Sequence, residues 1–78
     1  MRLVFLGKLA DLAGAPERAA EAPLDWGALS ELLDGDLADM VAGPKVKLAV
    51  NGAVLADKRT LMAVDGDEVA LLPPVSGG

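Results

Sequence analysis

The chain has 78 residues, contains no cysteine, histidine or tyrosine, and carries a formal net charge of −5 at pH 7. One domain fits this length, and a hydrophobic content of 53% suffices for a compact core. The missing residue types exclude disulfides, cysteine nucleophiles, histidine bases, and zinc or iron–sulfur centres. Nucleic acid and anionic membranes are poor partners for an acidic chain, and no apolar run approaches the ~20 residues of a membrane span. We therefore expect a cytoplasmic protein that binds other proteins.

The first part of the chain predicts a strand, a short helix and a second strand. Residues 3–6 form a continuous apolar run, which is typical of a buried central strand. Apolar residues at helical spacing predict a helix over residues 8–13, with Gly14 as its C-terminal cap. Residues 17–21 lie between two prolines and are too few for a stable helix, so we expect an edge strand there.

The middle of the chain predicts a helical layer in two pieces. Asp25 is a good N-cap for a helix whose apolar stripe begins at Trp26. We expect Gly35 to end this helix and Asp36 to cap a second piece, which stops at Gly43. The single tryptophan is expected to pack beneath its helix rather than to serve as an exposed interface anchor.

The second half of the chain predicts strands joined by tight turns. Residues 45–50 alternate between polar and apolar, as in a half-buried strand, and Asn51-Gly52 is a strong hairpin signal. Residues 54–55 are expected to return as a short strand. Residues 57–59 are charged, so we expect a solvated loop there.

The end of the chain carries the most specific pattern. A turn at residues 65–67 precedes a last strand over residues 68–72, and Pro73-Pro74 ends it because proline cannot donate to a sheet ladder. A stiff Pro-Pro pair sets the exit direction, and Gly77 and Gly78, without Cβ atoms, fit a narrow channel. Adenylation would make the terminal carboxylate an acyl donor. The chain end would then carry sulfur as a thiocarboxylate, or become joined to lysine.

Two other patterns point to sites only weakly. Gly7-Lys8 is similar to the end of a phosphate-binding loop, but Leu9 stands where the magnesium-binding hydroxyl belongs. The acidic residues around Gly35 lack the spacing and the closing glutamate of a calcium loop. We therefore expect this chain to bind no metal and no cofactor of its own.

The whole chain resembles the small, sulfur-carrying subunit of molybdopterin synthase, a family of ubiquitin-like β-grasp proteins. This resemblance implies an α+β fold, with a mixed sheet and a helix packed across one face. It also implies a β-grasp domain over residues 1–74 and a flexible Gly-Gly tail over residues 75–78. The similarity lies in Phe5-Leu6 followed by Leu9, Leu12 and Gly14, in Val50-Asn51-Gly52, in residues 65–70, and most specifically in Leu71-Leu72-Pro73-Pro74-Val75-Ser76-Gly77-Gly78.

The resemblance also implies a mechanism in which this chain is not itself an enzyme. An activating enzyme would use ATP to adenylate the last residue, and a sulfurtransferase would convert it to a thiocarboxylate. The large subunit of the synthase would supply the catalytic residues and build the dithiolene of molybdopterin, in a two-plus-two heterotetramer. The implied roles are activation and thiocarboxylation for Gly78, insertion into the partner channel for Pro73, Pro74, Val75, Ser76 and Gly77, and partner docking for Leu72.

Two departures from the family and three alternative functions accompany this interpretation. Leu71-Leu72 stands where many members carry an aromatic residue, and Ala10-Asp11 where many carry a basic one; both positions concern partner docking. The nearest alternative is a carrier for thiamine thiazole synthesis or another thiocarboxylate pathway. A ubiquitin-like modifier and a plain interaction domain are the others.

Overall fold

The computed structural model describes residues 1–74. Within them no helix is long and apolar enough to cross a membrane. The strands are β1 (Arg2–Phe5), β2 (Glu17–Ala19), β3 (Leu24–Asp25), β4 (Lys47–Val50), β5 (Ala53–Val54), β6 (Met62–Ala63) and β7 (Glu68–Leu72). The helices are α1 (Lys8–Ala13), α2 (Trp26–Leu32) and α3 (Gly35–Ala42), and a 3₁₀ turn covers Lys58–Thr60.

The main sheet has five strands in the order β2-β1-β7-β4-β5. The first and last strands, β1 and β7, pair in parallel at its centre, with Leu3 opposite Val69. The other neighbours pair antiparallel, so the sheet is mixed. β3 and β6 form a separate two-stranded sheet, which the sequence analysis missed. The arrangement is the expected ubiquitin-like β-grasp fold of the α+β class.

The core lies between one face of this sheet and the helices. Alternate residues of β1 and β7 point towards the helices, which is the period of two that a strand imposes. Every buried residue within residues 1–74 is apolar. Because the chain has no disulfide, this core carries the stability, at about 1.5–3 kcal/mol for each fully buried leucine or valine. The largest fully buried side chains are Leu3, Leu9, Leu24, Leu29, Val41, Val46, Leu48, Leu61, Val69 and Leu71.

Several local predictions are confirmed. Gly14 ends α1 in the left-handed conformation, with φ of 80°. The Asp25 side chain caps α2 by accepting a 2.8 Å hydrogen bond from the Ala28 amide. Asn51 and Gly52 both have positive φ, 50° and 85°, as the tight hairpin between β4 and β5 requires.

The prediction for the helix break was wrong. Gly35 does not end α2; it is the first residue of α3. The Leu33 side chain is buried in the core, and its extended backbone ends α2 instead. Asp34 takes the N-cap position of α3 without a side-chain bond, and Asp36 lies inside the first turn. A carboxylate there still interacts favourably with the helix dipole.

Residues 57–59 expose the Asp57 and Arg59 side chains to solvent as predicted, but they form part of a 3₁₀ turn that was not predicted. The Asp57 side chain accepts a 3.0 Å hydrogen bond from the Arg59 amide and thereby begins the 3₁₀ turn. Bonds from the Arg59 side chain lower the pKa of the Asp57 carboxyl. The turn points Lys58 inwards, whereas Arg59 stays exposed.

Lys58 joins its own 3₁₀ turn to the segment between α3 and β4. Its ammonium donates hydrogen bonds to the carbonyl oxygens of Val41 at 2.6 Å, Val46 at 3.0 Å, and Gly43. It also lies 5.7 Å from the ring centroid of Trp26, which is half-buried and packs against the core as predicted. Burial and the charge of Lys47 lower the Lys58 pKa. Lys58 thus fixes the segment between α3 and β4.

Candidate functional site at the exit of strand β7

The last described strand leaves the sheet from its centre, with β1 on one side and β4 on the other. Leu71 is buried, and its carbonyl accepts a 3.2 Å hydrogen bond from the Leu6 amide. Leu72 pairs with Lys47 of β4 and is half-buried. The chain beyond residue 72 therefore starts from a strand that is held on both edges.

Pro73 lies against Gly7, at the turn between β1 and α1. A Cβ atom on Gly7 would be 3.2 Å from Cγ of Pro73, tighter than ordinary van der Waals contact. Gly7 also has a φ of 54°, which side chains disfavour. The pyrrolidine ring therefore occupies the space that a missing side chain leaves. The contact with Pro73 was not predicted, because Gly7 was considered only for its similarity to a phosphate-binding loop; a glycine between a strand and a helix was the available signal.

Pro74 lies in a groove between α1 and the segment that joins α3 to β4. The other residues of this exit groove are Lys8, Met40, Gly43, Pro44, Lys45 and Val46. Lys8, Lys45 and Lys47, which we call the exit lysines, are exposed, and none forms an ion pair within residues 1–74. A chain with net charge −5 thus presents free positive charge where its end leaves the domain.

The sheet face opposite the helices carries an apolar strip that crosses four strands. Val4 lies opposite Ala70, Ala70 opposite Ala49, and Ala49 opposite Val54. Leu72 lies on the same face, two residues after Ala70, and none of these five side chains belongs to the core cluster. We call these five residues the open sheet face. Val54 is 59% exposed, Val4, Ala70 and Leu72 are half-buried, and Ala49 is buried. A partly exposed apolar strip is typical of a protein interface, and the docking role of Leu72 stays a prediction.

The other end of β7 is polar. The Asp67 carboxylate accepts hydrogen bonds of 2.9 Å from the Val64 amide and from the Asn51 side chain. These bonds lower the Asp67 pKa. Arg2 forms an ion pair with Glu68, and this bond raises the Arg2 pKa. The charged groups at this end are thus paired within the chain, and Val64 beside them is 54% exposed.

Three of the predicted site residues fall within the described part of the chain. Leu72, Pro73 and Pro74 are contiguous at the exit, and all are half-buried. The others, Val75, Ser76, Gly77 and Gly78, lie outside the described residues, and their roles stay predictions, as does the tail assignment. At the positions of the second departure, Ala10 packs against the core and Asp11 is exposed. No cluster of three potential metal ligands occurs among residues 1–74.

The parallel pairing of β1 with β7, the helices on one face and the exit from the central strand define a ubiquitin-like β-grasp protein. The ThiS family, a family of ubiquitin-like sulfur carriers, matches residues 3–78. The chain belongs to this family. No curated protein matches it.

Solved structures of archaeal proteins confirm the fold. The HVO 2177 protein of Haloferax volcanii is similar with a TM-score of 0.75 and 23% identity, over 99% of this chain and 84% of that one. SAMP1 of Haloferax volcanii has a TM-score of 0.61 and 27% identity, over 99% and 97%. Small archaeal modifier protein 1 of Methanosarcina acetivorans has a TM-score of 0.61 and 23% identity, over 99% and 94%.

Proposed function

We propose that this chain is the sulfur-carrier subunit of molybdopterin synthase, with Gly78 as the residue that carries the sulfur. The observation that supports this most strongly is the anchored exit: Pro73 is fixed against Gly7 at the end of a central strand. A carrier needs this arrangement, because a rigid domain must deliver a short tail into partners' active sites in a constant direction. The family match to residue 78 includes the tail.

The proposed chemistry takes place on the main-chain carboxylate. A carboxylate oxygen of Gly78 attacks the α-phosphorus of ATP in the activating enzyme, and pyrophosphate leaves. A persulfide sulfur on a cysteine of a sulfurtransferase then attacks the carbonyl carbon, and AMP leaves with the bonding electrons. A second thiol cleaves the S–S bond of the resulting acyl disulfide, which releases the thiocarboxylate and leaves a disulfide on the sulfurtransferase. The thiocarboxylate passes its sulfur to a pterin precursor in the large subunit, and water restores the carboxylate. ATP is thus a substrate of the activating enzyme, and the reactions belong in the cytoplasm.

The domain would guide the tail by two surfaces. The open sheet face offers apolar area to the activating enzyme and to the large subunit in turn. The exit lysines would face acidic residues around the opening of the partner's channel. This attraction would orient the chain during association so that its tail points towards the channel. Insertion of Pro73, Pro74, Val75, Ser76 and Gly77 into that channel belongs to the same proposal.

The intact mass of the chain tests the carrier function. The chain is incubated with an adenylating enzyme, ATP and a sulfur donor, and we expect a mass gain equal to the replacement of one oxygen by one sulfur. Deletion of Gly78, or addition of one residue after it, should abolish the mass gain. The amide NMR spectrum of each variant should still be that of a folded protein. An unchanged mass, with an enzyme shown to activate another carrier, would leave a plain interaction domain.

Reconstitution tests the pathway. The thiocarboxylated chain is mixed with the large subunit of molybdopterin synthase and the cyclic pterin precursor, and dithiolene formation is measured. In a parallel reaction it is mixed with a thiazole synthase and its substrates. If sulfur is transferred only in the second reaction, the pathway is thiamine synthesis and not molybdopterin synthesis, and the carrier mechanism is unchanged.

A modifier function is the second candidate, favoured by the 27% identity to SAMP1 across nearly the whole of both chains. The same acyl-adenylate would then be attacked by a lysine amine of a target protein. Because no lysine or arginine follows Arg59, trypsin would leave residues 60–78 attached to the modified lysine. Detection of that branched peptide in cells, lost on deletion of Gly78, would establish conjugation.

A further inference from the structure

The outer strand β2 leaves backbone groups unpaired at one edge of the main sheet. β2 bonds to β1 through alternate residues: the Pro16 carbonyl accepts from the Phe5 amide at 2.8 Å, and the Ala20 amide donates to the Met1 carbonyl at 3.1 Å. The N–H and C=O groups of Glu17 and Ala19 therefore point away from the sheet. Within residues 1–74 no group bonds to them. They are free to pair with another strand.

An apolar groove runs beside this edge, between β2 and α2. Its volume of ≈ 570 Å³ lies within the ~300–1,000 Å³ common for binding sites. We call it the edge groove. Its apolar lining residues are Ala19, Ala20, Pro23, Leu24, Ala28 and Leu32.

Two carboxylates stand on the rim of the edge groove. Glu21 and Glu31 line it, are exposed, and form no ion pair within the described part of the chain. Arg18 lies nearby, and its guanidinium donates to the Leu32 carbonyl at 3.2 Å. The rim is therefore negative, with one cation close to the C-terminal end of α2.

The opposite edge of the sheet differs. There β5 has only two residues, Ala53 and Val54, and no groove among those described contains either of them. Of the two edges of the main sheet, as residues 1–74 describe it, the β2 edge is the one that lies beside an apolar groove. Backbone pairing supplies affinity and an adjacent groove supplies specificity when an extended peptide adds to a sheet.

We propose that the β2 edge and the edge groove bind an extended segment of a partner protein, with apolar side chains at alternate positions and a lysine or arginine beside them. The backbone of this segment pairs with Glu17 and Ala19, its apolar side chains on one face enter the groove, and its cation meets Glu21 and Glu31. The surface is separate from the exit of β7, so a bound segment leaves the tail accessible. A carrier could thus be tethered while its tail reacts.

A second copy of this chain fits the same edge poorly. Antiparallel pairing of two β2 strands about Ala19 would place Glu17 opposite Glu21 in both halves. Pairing about Arg18 would place two arginines opposite one another. Like charges directly opposite destabilise a strand pair, so the charge pattern favours a different, basic segment.

The test titrates the full chain with a capped synthetic peptide, KVTVTVK, and follows amide chemical shifts. We expect shifts at Glu17, Ala19, Ala28 and Leu32, and none at the open sheet face. A peptide with proline at the central valine should bind at least about tenfold more weakly, because it cannot complete the ladder. The charge-reversed peptide EVTVTVE should bind about fivefold to tenfold more weakly.

Variants of the chain separate the groove from other surfaces. The double substitution Glu21→Lys and Glu31→Lys should weaken the binding of KVTVTVK and strengthen the binding of EVTVTVE. Asp65→Lys, away from the groove, should change neither affinity. Ala28→Met should fill the groove and weaken the binding of both peptides. Deletion of Gly77 and Gly78 should leave the affinities unchanged, which separates this proposal from the carrier function. Equal affinities for all peptides, no shifts at β2, or a concentration-dependent dimer through β2 would overturn it.

Discussion

The two ends of β7 are built differently, although one short strand joins them. At the entry, Asp67 is fixed by hydrogen bonds to Asn51 and Val64, and Glu68 forms an ion pair with Arg2. At the exit, Pro73 rests on Gly7, and no hydrogen bond of the strand ladder extends to it. The entry satisfies its polar groups internally. The exit leaves its lysines without an ion pair within residues 1–74, and its apolar side chains are only half-buried.

The contrast separates stability from function along a single strand. Groups that bond to each other inside the chain have nothing left for another protein, whereas the exit lysines and the open sheet face are unsatisfied until one docks. We therefore expect changes at the entry to affect folding alone. Changes at the exit should affect partner reactions more than stability, unless they reach the core.

The largest effect should come from Leu71, whose side chain is fully buried beneath the exit. Leu71→Ala should lower the free energy of unfolding by about 2–5 kcal/mol, because it leaves a cavity. Leu72→Ala, its neighbour on the open sheet face, should cost less than about 1.5 kcal/mol but weaken binding of the activating enzyme. Urea unfolding and binding titrations check both. Equal destabilisation by the two changes would contradict the assignment of faces.

The next effect concerns Lys58, which supports the wall of the exit groove from inside. Lys58→Met keeps the length of the side chain but leaves the carbonyls of Val41, Gly43 and Val46 without their donor. We expect a loss of about 1–3 kcal/mol in the free energy of unfolding. Lys45→Met, at an exposed lysine of the same groove, is the matched control and should be close to neutral. A neutral Lys58→Met would show that the three bonds add nothing net.

A smaller effect should separate contact from backbone strain at Gly7. Gly7→Ala and Gly14→Ala both introduce a side chain at positive φ, at a cost of about 1 kcal/mol. Only Gly7 has a neighbour there, Pro73, since nothing lies within 4 Å of a Cβ on Gly14. The Gly7 variant should therefore also slow thiocarboxylation, measured by intact mass. Matching rates for both variants would rule out a role for the Gly7–Pro73 contact.

The smallest effect on stability should come from Asp67, at the entry of β7, and should be seen at low pH. Hydrogen bonds lower the folded-state pKa of Asp67 below its ordinary value of 3.8, so its ionised form stabilises the folded state. That stabilisation is complete above the ordinary pKa and is lost as the pH falls through the folded pKa. Asp67→Asn should flatten the fall of the thermal midpoint between about pH 5 and pH 2. Asp65→Asn, on the same turn, should leave the fall unchanged.

Local signals of the sequence were sufficient for most elements. The α1 helix, the β7 strand, the Asp25 cap and the Asn51-Gly52 turn were all predicted from neighbouring residues. Caps, glycines and alternation act over a few positions, which makes them visible without a fold. The prediction of the helix break was wrong because it used only such local signals. Gly35 carried the local signal, but burial of Leu33 in the core set the end of α2.

The candidate site was only half visible in the sequence. The residues of the exit, Leu72 to Pro74, stood out by their order, and the family resemblance carried the carrier function. The partners of those residues did not stand out, because they lie far away along the chain. Gly7 comes from the first turn, and the exit groove combines α1 with the segment before β4.

The sequence by itself determined the types of the main elements and the pattern of its last residues. The tertiary structure alone decided which residues meet: Gly7 with Pro73, β3 with β6, and Lys58 with carbonyls up to 17 positions away. The physical reason is the distance along the chain over which each interaction acts. Backbone preferences act between neighbours, whereas packing and long-range hydrogen bonds exist only after the sheet has brought distant segments together.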